Sequence, residues 1–167
     1  LKNHSDKSEF YVSMPYFNKD KIGRFGFASL YTAPTHVQLE KLKFYTVTGV
    51  NSTSNDTIKV KGKGTLIYGI YTDDNGTPKT LLREDSIYFK DVMPNWNTLD
   101  ITGWDIQLKP NEKFQVVYRL RVDSVNQNLN SIPFYIDDGA GTQNTTKIIT
   151  SKNTYAPTFP ANSGKQA

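Results

Sequence analysis

The nine residues from Phe114 to Val122 (FQVVYRLRV) constrain the fold more than any other part of the sequence. Apolar residues occupy every second position: Phe114, Val116, Tyr118, Leu120 and Val122. Successive side chains of a strand point to opposite faces, so the run predicts a strand with one apolar and one mostly polar face. A helix would need apolar spacings of three and four residues, which this run lacks.

Short apolar runs of the same kind recur along the chain, and polar turn sequences separate them. The strongest turn signals are Asp73–Pro78 and Lys109–Glu112. The apolar phase slips at Glu40–Lys41, which predicts a β-bulge or a tight turn. Leu66–Thr72 is apolar on both faces, as in a central strand. Many short strands without a helical pattern predict an all-β fold, and we expect a single antiparallel two-sheet sandwich.

Length and composition favour one domain of an exported protein. The chain has 167 residues, no cysteine and a net charge of +4. We expect a frayed N-terminus over 1–8, a β-sandwich domain over 9–159 and a flexible C-terminal tail over 160–167. The absence of cysteine excludes disulfides and thiol catalysis. No apolar run is long enough for a transmembrane helix. Because the chain begins at Leu1, we expect that an upstream segment was removed.

Three segments together resemble the jelly-roll sandwich modules of exported bacterial proteins. They read PTHVQLEKLKFYTV, GTLIYGIYTDDNGTPKTLL and DITGWDIQLKPNEKFQVVYRL. The family pattern is carried by an ordered set of positions: Trp104, Leu108, Pro110, Phe114 and Val116. The resemblance covers roughly residues 37–122. It implies a jelly-roll fold and an extracellular setting, often with carbohydrate or adhesive binding, and it transfers no functional residue.

Catalytic residues are scarce, and we expect no enzyme. The only histidines are His4, in the terminus predicted to fray, and His36, at the start of a strand. No G-x-S-x-G sequence occurs, so the chain lacks the sharp turn that would present a catalytic serine to a histidine base. The two carboxylates of a glycoside hydrolase can be far apart in sequence and close together only in the fold, so the sequence alone does not identify such a pair. The four glutamates fall at strand ends or in turns, which favours a solvated role: Glu9, Glu40, Glu84 and Glu112.

Two acidic turns offer the oxygen ligands that Ca²⁺ prefers. They contain Asp73 and Asp74 in one turn and Asp137 and Asp138 in the other. Neither turn has the spacing of an EF-hand loop. Asp, Asn and Gly are also the residues that tight turns require, and that interpretation is favoured. A structural calcium ion held by these four residues is the alternative, and we expect no other cofactor.

Aromatic residues in polar surroundings are the candidate ligand contacts. Trp96 lies between Asn95 and Asn97 in a sequence typical of a loop, where its ring could stack on a sugar. A partly buried anchor of the loop is the favoured interpretation of this ring, and a ligand contact is the alternative. Tyr71 and Tyr45 are further candidates for exposed rings. We therefore predict ligand contacts at Trp96, Tyr71, Asn95 and Asn97. Trp104 alternates with apolar residues, so we expect it in the core.

Lysines recur on two segments that could pair: Lys41, Lys43, Lys59, Lys61 and Lys63. Lysines on an exposed edge strand commonly prevent edge-to-edge aggregation, which is the favoured interpretation. An anionic wall polymer, a phospholipid surface or a nucleic acid is the alternative partner. The IKVKGKG segment has no interleaved aromatic residue, so we expect no nucleic-acid binding.

The leading hypothesis is a non-catalytic module, secreted or on a bacterial cell surface. It would bind an extracellular glycan or cell-surface polymer through rigid loops and act as a monomer. A secreted structural or assembly protein that binds another protein is the first alternative. A carboxylate-based hydrolase is the second.

Overall fold

The computed structural model describes residues 9–15, 26–50, 55, 57–122, 131–137, 146–149 and 155–157. Strands dominate these residues, and short 3-10 turns occur at Phe89–Asp91 and Thr102–Trp104. The strands are β1 (Glu9–Pro15), β2 (Gly26–Thr32), β3 (Val37–Gln38), β4 (Lys41–Thr46), β5 (Gly49–Val50), β6 (Thr57–Ile58), β7 (Gly64–Asp74), β8 (Thr77–Tyr88), β9 (Asn95–Asp100), β10 (Gln107–Leu108), β11 (Lys113–Val122), β12 (Ser131–Asp137), β13 (Thr146–Ile149) and β14 (Tyr155–Pro157).

Two larger sheets form the layers of the sandwich. One has four strands in the order β1-β12-β4-β9, and the other has six in the order β14-β13-β2-β11-β7-β8. Strand β3 pairs with β10, and β5 pairs with β6, in two small additional sheets. Neighbouring strands are antiparallel throughout these pairings. The prediction of an all-β, antiparallel sandwich is confirmed.

The alternating run that opens the sequence analysis becomes β11, an inner strand of the six-stranded sheet. It pairs with β2 on one side and with β7 on the other. Phe114, Val116 and Leu120 are buried, as the alternation predicts. The neighbouring strand approaches closely at Gly26, where an added Cβ would overlap the carbonyl oxygen of Tyr118. Only glycine fits this position without a shift of the backbone.

The core lies between the two larger sheets. Ring contacts cross the gap, with centroids 5.7 Å apart for Phe27 and Phe134 and 5.5 Å apart for Phe44 and Tyr118. Trp104 packs against this core, as predicted, with its ring stacked on that of Tyr68. The fully buried aliphatic side chains come from both sheets and from the segment after β9: Leu66, Ile70, Leu120, Ile132 and Ile101.

Both of the strongest turn signals form tight turns. In the β7–β8 hairpin Asp74 pairs with Thr77, and the two residues between them have positive φ, 51° at Asn75 and 80° at Gly76. Positive φ at both central positions is the geometry that favours Asn-Gly in hairpins. In the Lys109–Glu112 turn the Glu112 N–H donates to the Lys109 carbonyl at 3.1 Å. Asn111 there has φ of 65°, as position three of a type II turn requires.

The phase slip at Glu40–Lys41 marks a change of pairing partner. Two residues, Leu39 and Glu40, separate β3, which pairs with β10, from β4, which pairs with β9. The Leu39 N–H donates to the Ile106 carbonyl, and the Glu40 carbonyl accepts from the Ile101 N–H. A partner exchange re-phases the apolar side chains as a bulge would, so the sequence located the irregularity and misjudged its kind.

The lysine-rich segment does not pair with β4, which is the arrangement that would bring the five lysines together. Strand β6 ends at Ile58 and pairs with β5, whereas β4 pairs with β9 and β12. Residues 59–63 form bends and a single bridge, with φ of 85° at Gly62. The glycines interrupt the strand, so these lysines do not form one edge with Lys41 and Lys43.

The jelly-roll connectivity that the resemblance implies remains a prediction. The predicted terminal segments, 1–8 and 160–167, lie outside the described residues. Neither of the helical turns in the described part of the chain has the length and hydropathy that a membrane span requires.

Candidate functional site

The most exposed large aromatic ring of the described residues lies on the outer face of the four-stranded sheet, at the start of β9. Trp96 is 61% exposed, while its neighbours along the strand, Asn97 and Leu99, point inward and are buried. The sequence suggested a loop here, because Pro94 and polar residues surround the tryptophan. The structure shows a strand, which fixes the direction of the ring more firmly than a loop would.

A buried amide shapes the chain just before this ring. Asn97 Oδ1 accepts from the Met93 N–H at 2.8 Å, and Asn97 Nδ2 donates to the Met93 carbonyl at 2.8 Å. The same Nδ2 donates to the Asn95 carbonyl at 3.2 Å. From the adjacent strand the Thr46 hydroxyl donates to the Met93 carbonyl at 2.7 Å. These bonds satisfy polar groups in a buried place and fix the backbone on which Trp96 stands.

Tyr45, on β4, completes an aromatic pair. It is the cross-strand partner of Trp96, and the two rings meet edge to face, with centroids 5.3 Å apart and planes at 80°. The Tyr45 hydroxyl donates to Asn95 Oδ1 at 3.0 Å. Asn95 has φ of 71°, a left-handed conformation that Asn tolerates better than most residues. Both the ring and the hydroxyl of Tyr45 are therefore held by their neighbours.

Charged and hydroxyl side chains continue the same face along the two strands. Lys43 lies opposite Thr98, and Lys41 lies opposite Asp100. The Thr102 N–H donates to Asp100 Oδ1 at 2.9 Å, and this bond, more than the nearby Lys41, holds the pKa of the Asp100 carboxyl below its usual value. The face thus runs from an aromatic end to an ionic end.

We call this outer face the aromatic surface and define it by Tyr45 and Trp96 with the polar residues beside them: Lys41, Lys43, Asn95, Thr98 and Asp100. An exposed, rigid ring next to hydroxyl, amide and ammonium groups can bind a ligand that has an apolar face and polar edges. These seven side chains include no nucleophile paired with a base. Binding is one kind of chemistry that this arrangement supports.

Two of the four predicted ligand contacts do not lie on this surface. Tyr71 belongs to the outer face of the other sheet, and it is 8% exposed in a cluster with Ala28 and Val117. The Arg119 guanidinium carbon lies 5.5 Å from the centre of its ring. Asn97 is 6% exposed and points inward. Mixed polarity along a strand does not reveal which outward-facing rings are covered by other side chains of the same sheet.

The acidic hairpin satisfies its carboxylates with protein donors. Asp73 Oδ1 accepts from the buried Gln115 amide at 2.6 Å, and Asp73 Oδ2 accepts from the Gly76 N–H at 3.2 Å. Asp74 Oδ2 lies 3.1 Å from Lys79 Nζ. These contacts agree with the turn interpretation. Among the described residues, no three His, Cys, Asp or Glu side chains are grouped as a metal site would require.

The remaining predicted residues are outside this surface or outside the described residues. Asp137 ends β12, and Asp138 is not described, so the calcium prediction for this turn stays a prediction. His4 likewise falls outside the described residues. His36 is exposed just before β3. The Glu112 carboxylate accepts from the Lys109 N–H at 2.8 Å and belongs to its turn.

The sequence underestimated Tyr45 and Lys43 as members of the site. Their position was readable in principle, because Leu42 and Phe44 alternate with them and are buried. What the sequence lacked was the pairing of β4 with β9, which places Tyr45 beside Trp96. Periodicity assigns a face to each residue, but only the register brings two faces together.

No family model matches the chain, and no curated protein matches it. Among solved structures, the chain is similar to a clostridial cysteine protease, Cwp84, in its form after propeptide cleavage, at 14% sequence identity and a TM-score of 0.48. The similarity covers 93% of this chain and 37% of that one. A likeness at this level carries no argument about fold or activity.

Proposed function

We propose that this chain is a non-catalytic binding module of an extracellular or cell-surface protein, and that its ligand is a glycan bound on the aromatic surface. The observation that carries the proposal is the exposure of Trp96, 61%, on a strand whose neighbours fix it in place. Large exposed apolar rings on a folded protein commonly mark interaction sites. The ionic and hydroxyl groups beside this ring suit a polar ligand better than a lipid or an apolar protein surface.

A sugar matches the two kinds of group on this surface. The C–H face of a pyranose packs against an indole ring, while its hydroxyls need donors and acceptors at the edge of the ring. Thr98, one strand position beyond Asn97, and Lys43 opposite it supply such groups. Stacking on Trp96 would give affinity, and the polar neighbours would give orientation.

Hydrogen bonds within the protein also hold the residues of the aromatic surface in place without a ligand. Asn97 holds the backbone of Met93, and Asn95 holds the hydroxyl of Tyr45. Groups that are already fixed lose less conformational entropy on binding, so the same contacts give higher affinity. This favours a ligand recognised on a rigid face rather than one enclosed by moving loops.

The test is a glycan array followed by titration calorimetry on the best ligand. We expect Trp96→Ala to weaken binding about tenfold or more, as loss of a central aromatic contact does. Tyr88→Ala is the matched control, because Tyr88 is similarly exposed, at 59%, on β8 of the other sheet. Equal affinity of Trp96→Ala and the native protein for every array ligand would exclude the aromatic surface as the site.

A second candidate function, assembly with another protein, is favoured by one observation. Strand β8 has twelve residues and is the last strand of the six-stranded sheet, with Leu81 and Tyr88 exposed on it. A sheet edge of this length can pair with a strand of another chain. Light scattering over a concentration series tests it: a mass that stays that of one chain, in the native protein and in Leu81→Lys alike, would reject assembly through this edge.

A further inference from the structure

The charges on the aromatic surface are unevenly placed. Along β4 the outward positions are Lys41, Lys43 and Tyr45, and each faces a residue of β9. Lys41 faces Asp100, a carboxylate, whereas Lys43 faces Thr98, which is neutral. The cation nearer the aromatic pair is thus the one without a carboxylate opposite it on β9.

Among the seven residues that define the aromatic surface, the carboxylate belongs to Asp100 and lies at the end away from the tryptophan. Asp100 lies four residues along β9 from Trp96, about 14 Å at 3.4 Å per residue. The Thr102 N–H fixes its Oδ1 atom, and the lowered pKa keeps the carboxyl ionised. Asp100 therefore offsets part of the charge of Lys41, whereas Lys43 lies nearer the aromatic pair and faces neutral Thr98.

Lys43 is within reach of a ligand stacked on the tryptophan. It precedes Tyr45 by two residues, about 7 Å along the strand, with its side chain on the same face. The flexible four-carbon stem of lysine lets its ammonium approach a group on the rim of a stacked sugar ring. A substituent pointing along β4 from the aromatic pair would meet this ammonium first.

We propose that the glycan bound by this surface is acidic: its ring stacks on Trp96 while a negatively charged substituent, carboxylate or phosphate, pairs with Lys43. This inference rests on the proposed function and narrows its ligand class. Neutral glycans would keep the stacking contact and lose the ion pair. The difference is modest, because exposed ion pairs change affinity by only about two- to fivefold, and it is screened by salt.

The experiment compares an acidic oligosaccharide with its neutral ester and with an acidic polymer that has no sugar ring. Titration calorimetry at low salt uses oligogalacturonate, its neutral methyl ester and poly(glycerol phosphate) against the native protein, Lys43→Gln, Lys41→Gln and Trp96→Ala. We expect the native protein to prefer oligogalacturonate to the ester by about two- to fivefold. Lys43→Gln should abolish that preference, and Lys41→Gln, with the same change in net charge, should keep most of it.

The outcomes separate this inference from the proposed function. Binding of the ester and the acid with equal affinity, or equal losses in Lys43→Gln and Lys41→Gln, would overturn the inference while the dependence on Trp96 still supports glycan binding. Binding of poly(glycerol phosphate) alone would overturn the inference, because this acidic polymer has no sugar ring to stack on Trp96. If none of the three probes binds and the array finds no glycan that depends on Trp96, the inference and the proposed function fall together.

Discussion

The two outer faces of the sandwich differ in how far their aromatic residues are exposed. On the four-stranded sheet Trp96 is exposed and meets the neighbouring ring of Tyr45 edge to face. On the six-stranded sheet Tyr71 is 8% exposed and lies under Arg119. Both side chains stand on the outer side of a strand whose alternate residues fill the core. Only the first is free to meet a ligand.

The difference comes from what surrounds each ring rather than from the ring. Tyr71 extends over Gly69, where an added Cβ would lie 3.2 Å from the tyrosine Cε2 atom. The missing side chain lets the ring lie flat on the sheet, close to Val117 and Ala28 in the same cluster. On β9 every neighbour of Trp96 has a side chain, and the ring is 61% exposed. Small residues beside an aromatic therefore indicate a structural ring, and larger ones indicate a ring available for binding.

The largest effect expected from this comparison is on stability. Tyr71→Ala should lower the free energy of unfolding by about 3 kcal/mol, as removal of a buried aromatic ring does. Trp96→Ala should lower it by less than about 1 kcal/mol, because an exposed residue loses little more than one cross-strand pair. Urea denaturation monitored by far-UV circular dichroism measures both values.

The reverse order would contradict the comparison. A Trp96→Ala protein less stable than Tyr71→Ala would mean that the tryptophan supports the fold and that its exposure has no bearing on binding. Tyr88→Ala is a useful reference for the size of the effect at an exposed aromatic, because Tyr88 is 59% exposed on an edge strand.

Much of the fold was predictable because its signals are local. Alternation from Phe114 to Val122 identified β11, and the Asn75–Gly76 pair identified a hairpin whose turn needs positive φ. Where the sequence failed, the cause was either the pairing of distant strands, as for Tyr45 beside Trp96, or a local backbone conformation. The lysine-rich segment alternates well enough for a strand, yet Gly62 adopts φ of 85° and the chain bends instead.

The candidate site was predictable only in part. The polar surroundings of Trp96 allowed an exposed ring but favoured a partly buried anchor, and the ring is 61% exposed. The same reasoning placed Asn97 among the ligand contacts, although its amide is turned inward to Met93. Composition alone does not distinguish an amide that binds a ligand from one that hydrogen-bonds to the backbone. The direction of the Asn97 side chain depends on the backbone at Asn95. Asn95 has a positive φ, which no sequence periodicity reveals.

The second prediction connects stability to the site through Asn97. Asn97→Ala would leave the N–H and carbonyl of Met93 without their amide partner, and an unsatisfied buried polar group costs about 1–3 kcal/mol. We expect a loss of stability in that range together with weaker glycan binding, because Trp96 stands on the released segment. Thr98→Ala, its exposed neighbour, is the control for stability. Unchanged stability in Asn97→Ala would show that these hydrogen bonds do not fix the segment.

The third prediction measures the contact between the two rings of the aromatic pair. A double-mutant cycle of Trp96→Ala and Tyr45→Ala should give a coupling energy of about 0.5–1 kcal/mol, the range for aromatic cross-strand pairs. Tyr45→Phe separates the ring from the hydroxyl, which donates to Asn95 at 3.0 Å. Additive effects of the two alanine substitutions would mean that each ring is held without the other.

The smallest effect concerns the ionic end of the aromatic surface. The pKa of Asp100 is lowered from its usual 3.8, first by the Thr102 N–H and then by the Thr102 hydroxyl, with Lys41 adding less. A lowered pKa stabilises the folded state at pH values above the unfolded-state pKa, and this contribution is lost as pH falls below about 4 through the folded-state pKa.

Thr102→Val keeps the N–H and removes the hydroxyl, so the pKa of Asp100 should rise part of the way to its usual value. Carboxyl-detected NMR titration measures it, and Lys41→Gln should raise the pKa by less. A larger rise in Lys41→Gln than in Thr102→Val would show that the charge of Lys41, more than the Thr102 hydroxyl, lowers the pKa of Asp100.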